Sequence, residues 1–124
     1  MPLNITARIE DKVAILELSG SLTLAPSLAT LRDNARQILS SPNVSGIILN
    51  VSQIAQADSA GLGELMAVYT IAAKRGCPVR LLEATPTLRK MLAMTHLDCL
   101  LPNTTDINKA KAEMKRESGF QSEN

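Results

Sequence analysis

The segment Ile47-Ile48-Leu49-Asn50-Val51 is short, apolar and β-branched, and it is followed, after 52–57, by the small, polar turn Asp58-Ser59-Ala60-Gly61-Leu62-Gly63. Downstream, Leu62, Leu65, Met66, Tyr69 and Ala73 recur at helical spacing. A strand this apolar belongs inside a sheet covered on both faces, and a helix must leave from its end. The feature therefore demands a layered α/β chain with a strand-to-helix turn at Asp58. Ser59 falls at or just before the helix N-terminus, where unpaired N–H groups and the positive end of the macrodipole favour an oxyanion. Asp and Ser are also the favoured helix caps, and local chemistry alone favours a cap over a site.

The rest of the chain supplies matching elements. Leu3, Ile5, Ala7 and Ile9 alternate with Asn4, Thr6, Arg8 and Glu10, which reads as an edge strand wet on one face. Glu10-Asp11-Lys12 is a polar break, and Val13 to Leu18 suits an inner strand paired antiparallel to the first, with Gly20 ending the run. Ser21 to Ala25 reads as a loop, and Pro26 opens a helix to about Ser40 whose buried face carries Leu28, Leu31, Ala35, Ile38 and Leu39. The helix after Asp58 runs to about Arg75, with Gly76 and Pro78 as stop signals, and is apolar around much of its circumference. Val79 to Glu83 is a further strand, and Thr85-Pro86 opens a shorter helix marked by Leu88, Met91 and Leu92. Cys99-Leu100-Leu101 reads as a last short strand, and Thr104, Thr105 or Asp106 caps a final helix with a narrow stripe of Ile107, Ala110 and Met114. The expected class is α/β: a mixed, mostly parallel sheet with helices packed on it and an N-terminal antiparallel hairpin. One domain spans 1–117, and 118–124 reads as a disordered tail.

Composition narrows the function. With 124 residues, a net charge of +1 and only Tyr69 and Phe120 as aromatics, the chain has no basic stripe and no stacking platform, which argues against nucleic acid. No apolar run is long enough to insert in a membrane and no signal-peptide layout opens the chain, so a cytoplasmic location is expected. Cys77, Cys99 and the single His96 make no metal-ligand pattern; both cysteines read as small buried hydrophobes, and no cofactor is called for.

The Gly20-containing loop, the strand Ile47-Ile48-Leu49-Asn50-Val51, the Asp58-Ser59-Ala60-Gly61-Leu62-Gly63 turn and the Val79-to-Glu83 strand with its Thr85-to-Met94 helix resemble a STAS domain (sulfate transporter and anti-sigma factor antagonist). The resemblance covers 3–115, and the Asp-Ser-x-Gly-Leu-Gly core is its most specific part. In the anti-sigma factor antagonists, the resemblance implies, the serine after the aspartate is phosphorylated by an anti-sigma factor with serine kinase activity, and a metal-dependent phosphatase resets it. That position here is Ser59. The implied partner surface comprises Asp58, Ser59, Ala60, Gly61, Leu62 and Gly63, with Ser21, Leu22 and Thr23 beside it, and Gly61 and Gly63 allow close approach. The chain departs from the family where many antagonists carry Gly-x-Leu-Asp, for here the string is Gly20-Ser21-Leu22-Thr23.

Three other readings compete. A stand-alone STAS subunit can dock on the ATPase of a membrane transporter of the phospholipid-trafficking type. A serine hydrolase needs a Gly-x-Ser-x-Gly elbow, but Ala57 replaces the first glycine, and His96 is the sole histidine base available. A small-molecule sensor at the helix end rests on the dipole alone, with no Gly-rich phosphate loop.

Overall fold

A computed structural model of the chain describes residues 2–122, with side chains described as far as residue 115. Strands β1 (Asn4–Glu10) and β2 (Val13–Leu22) form an antiparallel hairpin, and β3 (Gly46–Ala57), β4 (Val79–Leu82) and β5 (Asn103–Thr104) add to it in parallel. The sheet runs β1-β2-β3-β4-β5, and helices α1 (Thr30–Leu39), α2 (Ser59–Ala73), α3 (Pro86–Met94) and α4 (Ile107–Ser122) pack on it. The expected α/β class, hairpin and mostly parallel sheet are what the chain forms. Glu10 pairs with Val13 across the two-residue turn Asp11-Lys12, and both turn residues are left-handed (φ 51° and 68°). That is the twist a tight hairpin prefers.

Alternation along β2 and β3 builds two cores of unequal size. Ala14, Leu16 and Leu18 of β2 and Ile47, Leu49 and Val51 of β3 share one face with Leu31, Ala35 and Leu39 of α1, Leu65, Val68 and Ala72 of α2, and Leu88 and Leu92 of α3. Val13, Ile15, Ile48 and Leu82 point the other way and meet Ala110 and Met114 of α4. This is the period-two consequence of the pleat, and it explains why β2 and β3 read as nearly continuous apolar runs. The narrow stripe of α4 is sufficient because one helix closes this smaller face. Asp106 caps it, its Oδ1 accepting from Lys109 N at 3.1 Å. Lys111 Nζ reaches Glu10 Oε1 (3.1 Å) and Asp11 Oδ2 (3.2 Å), tying α4 to the hairpin turn.

Several boundaries differ from the expectation. β2 continues through Gly20 to Leu22, because β3 extends to Ala57 and offers Ser21 and Leu22 ladder partners in Gln56 and Ala57 after two register shifts. The helix expected from Pro26 begins as a 3-10 turn, Pro26–Ala29, before α1. No strand forms at 99–101 among the described residues; Leu97–Cys99 is a 3-10 turn and the strand follows at Asn103–Thr104. Here Leu81 N of β4 donates to Pro102 O (2.8 Å) and Glu83 N, just past β4, donates to Thr104 O (2.8 Å), so a proline that lacks an N–H serves as acceptor immediately before β5. Cys99 is exposed and Cys77 only partly buried, contrary to the expectation of two buried thiols. Of the tail expected at 118–124, residues 123 and 124 lie outside the described residues, and α4 carries the backbone to Ser122. No helix among the described residues is long and apolar enough to cross a membrane.

Met114 is fully buried in the smaller core. Met114→Ala is expected to cost about 2–5 kcal/mol of unfolding free energy. The check is urea denaturation, with the midpoint lowered and the slope unchanged.

Candidate functional site

The site is built where β3 ends and α2 begins. Asp58 has extended backbone (φ −131°) and caps α2: its Oδ1 accepts from Gly61 N at 2.9 Å, and its carbonyl accepts from Leu62 N at 3.0 Å. The second carboxylate oxygen accepts from Leu24 N at 3.1 Å, and Asp58 N donates to Leu22 O at 3.1 Å. One residue thus fastens the helix start to the β2–α1 loop. The backbone N–H groups of Gly61 and then Leu24 hold the Asp58 carboxyl below the ordinary carboxylate range. Neither oxygen bonds to Ser59, so Asp58 acts on that serine by fixing the helix that carries it.

Ser59 is the first residue of α2 and is exposed, and its hydroxyl has no hydrogen-bond partner among the described residues. Gly61 N and Leu62 N are bonded to Asp58, and the Ala60 N–H also acts on the Asp58 carboxylate, so a charge on the Ser59 oxygen would share the first helical N–H groups with that carboxylate. Gly63 is exposed, Ala60 half-buried, and Leu62 buried. Gly61 is buried against the protein's own backbone: a Cβ there would lie 1.9 Å from Leu22 O. Its small size therefore serves the packing of α2 on β2, whereas around Gly63 a Cβ would meet nothing within 4 Å.

Of the adjoining segment, Ser21 and Leu22 are buried strand residues and Thr23 is half-buried. The residue that projects is Leu24, 80 % exposed, on the loop that Asp58 holds. The sequence reading did not single it out; the only hint is a large apolar residue placed just before the Ala25-Pro26 helix start. A second omission is Glu64, buried at 5 % exposure and paired through both carboxylate oxygens with Nε and an Nη of Arg32 on α1. The carboxylate raises the Arg32 guanidinium pKa. As the one charge in an otherwise apolar α2, Glu64 was visible as an anomaly. His96 lies beyond α3 in left-handed conformation and makes no side-chain hydrogen bond to Ser59.

The family model described as "Mlab, STAS domain" matches residues 5–102. The chain belongs to the STAS domain family. Among solved structures, it is similar to an anti-sigma factor antagonist from Mycobacterium paratuberculosis (19% identity, TM-score 0.71, covering 91% of this chain and 94% of that one). It is similar to the Bacillus cell fate determinant SpoIIAA in its phosphorylated form (20% identity, TM-score 0.64, 89% and 97% covered). A sulfate transporter family protein from Wolinella succinogenes is likewise similar (20% identity, TM-score 0.68, 89% and 90% covered). These likenesses establish a shared fold.

The two glycines of the turn should respond in opposite ways to alanine. Gly61→Ala forces α2 off the Leu22 carbonyl and is expected to destabilise by about 1–3 kcal/mol, while Gly63→Ala is neutral or stabilising by up to about 1 kcal/mol through helix propensity. Urea unfolding of both variants decides this. Because the folded pKa of Asp58 is depressed, its contribution is complete above the unfolded carboxylate value of about 3.9 and is lost as pH falls through the folded value. The stability gap between wild type and Asp58→Asn is therefore expected to be widest near neutrality and to close in acid, as followed by thermal melts across that range.

Proposed function

We propose that the protein is an anti-sigma factor antagonist whose binding to an anti-sigma factor with serine kinase activity is ended by phosphorylation of Ser59. The observation that carries this reading is the exposed, unpartnered Ser59 hydroxyl at the first position of α2, next to a carboxylate that holds the neighbouring loop. A phosphate there adds about −1.5 to −2 charges and three acceptor oxygens. The first helical N–H groups stabilise it, the Asp58 carboxylate repels it, and the fold has no need to change. A partner seated over Ser59, Gly63 and Leu24 would meet a bulky, hydrated dianion in place of a small hydroxyl. A penalty of about 3 kcal/mol weakens such a complex roughly a hundredfold. A metal-dependent phosphatase would restore binding. Similarity to SpoIIAA, whose structure is known in a phosphorylated form, supports the reading.

A second reading keeps the fold and changes the partner: a STAS subunit that docks on the ATPase of a membrane transporter through the same surface. The Mlab description of the family model and the likeness to a sulfate transporter family protein favour it, as does Thr23 in place of the acidic residue that many antagonists carry.

One experiment separates them. Wild type, Ser59→Ala and Ser59→Asp are used to capture partners from native lysate of the source cells supplied with ATP, and the intact mass of each is recorded. The antagonist reading expects one phosphate on wild type, none on the alanine variant, and capture of a kinase-like ATPase reduced roughly a hundredfold by aspartate. Capture of a transport ATPase by all three alike, with no phosphate on any, would establish the second reading instead.

A further inference from the structure

Away from Ser59, α3 and the segment leading into β5 enclose an open cavity of about 600 Å3 whose charge is unbalanced. Its base rests on Leu92 and Leu101 of the main core, which are 2 % and 0 % exposed, and its accessible apolar lining comes from Pro86, Ala93 and Pro102. Arg89 and Lys90 line it from α3, and neither side chain has an ion pair or hydrogen bond among the described residues. Asn103 lines it from β5. Its Oδ1 accepts from Ala84 N at 2.8 Å, which fixes the amide and leaves its NH2 as a donor without a protein partner among the described residues. Against two cations and this amide stands one carboxylate, Asp98.

We infer that this cavity is a binding site for a small organic anion: a carboxylate or phosphate head on a compact apolar body. The volume lies in the range of small-molecule sites, which combine an apolar lining with a few polar groups that orient the ligand. The head suits Arg89, whose planar fork matches carboxylate and phosphate oxygens, with Lys90 adding a point charge and Asn103 a neutral donor. The body suits Pro86, Ala93 and Pro102, the apolar lining residues that solvent reaches, where apolar surface leaves water. Asp98 opposes the head and limits affinity. The inference is independent of the reading of Ser59, since none of its residues belongs to that turn.

The test is amide-resolved NMR titration of the full chain with four probes: phenyl phosphate, benzoate, inorganic phosphate and benzyl alcohol. Phenyl phosphate, benzoate or both are expected to shift the Arg89, Lys90 and Asn103 signals saturably, the tighter of the two identifying the head. Inorganic phosphate and benzyl alcohol should each bind at least about tenfold more weakly, because each lacks one half of the ligand. Replacing both cations, Arg89→Gln with Lys90→Gln, should weaken binding by about tenfold or more, whereas Asp98→Asn should tighten it, with unchanged melting temperatures showing that the fold is intact. Opposite signs for these exposed substitutions are a signature that a purely structural role would not produce. The inference is overturned if neither organic anion gives a saturable shift at these residues, if the double variant binds as well as wild type, or if inorganic phosphate or benzyl alcohol alone binds as tightly.

Discussion

The geometry of the candidate site depends on a close approach between two backbones. Helix α2 can start where it does only because Gly61 presents no side chain to the Leu22 carbonyl, and Asp58 then locks that approach from both sides by accepting from Gly61 N and Leu24 N. The serine at the helix start inherits its position from these contacts. Its own hydroxyl contributes nothing to them, so the fold leaves that oxygen free for other chemistry.

This arrangement also divides the labour within a turn that looks uniform in sequence. Asp58 and Gly61 face inward and hold the structure, while Ser59 and Gly63 face outward. Leu24 joins the outward set because the Asp58 carboxylate ties its backbone beside the helix start. Farther along α2, the Glu64–Arg32 pair links the helix to α1, so a buried carboxylate that would be costly alone has a charged partner at the edge of solvent. The surface near Ser59 is consequently carried by two helices and one loop that are cross-linked by carboxylates.

Much of the architecture was legible because its signals are local. The apolar runs of β2 and β3, the Asp58 cap, the Thr85-Pro86 helix start and the stop at Gly76 each depend on a few adjacent residues. The errors arose where a distant partner decided the outcome. Ser21 and Leu22 look like loop after Gly20, yet the length of β3 draws them into the ladder. The expected strand at Cys99 gave way to a later one because β4 needed acceptors, which Pro102 and Thr104 provide. At the site, the Asp-Ser-x-Gly-Leu-Gly string located the turn between β3 and α2. It could not reveal that Gly61 serves an internal contact, because its partner, Leu22, is remote in sequence.

The unequal covering of the two sheet faces has a consequence for how much of the fold hangs on α4. The elements that enclose the larger face, from β2 through α3, precede α4 in the chain, whereas the smaller face is closed by α4 alone. Val13, Ile15 and Ile48 belong to the same early strands but look the other way, and they wait for Ala110 and Met114. Until that helix docks, the sheet shows a greasy underside, and transiently uncovered apolar surface of this kind invites aggregation.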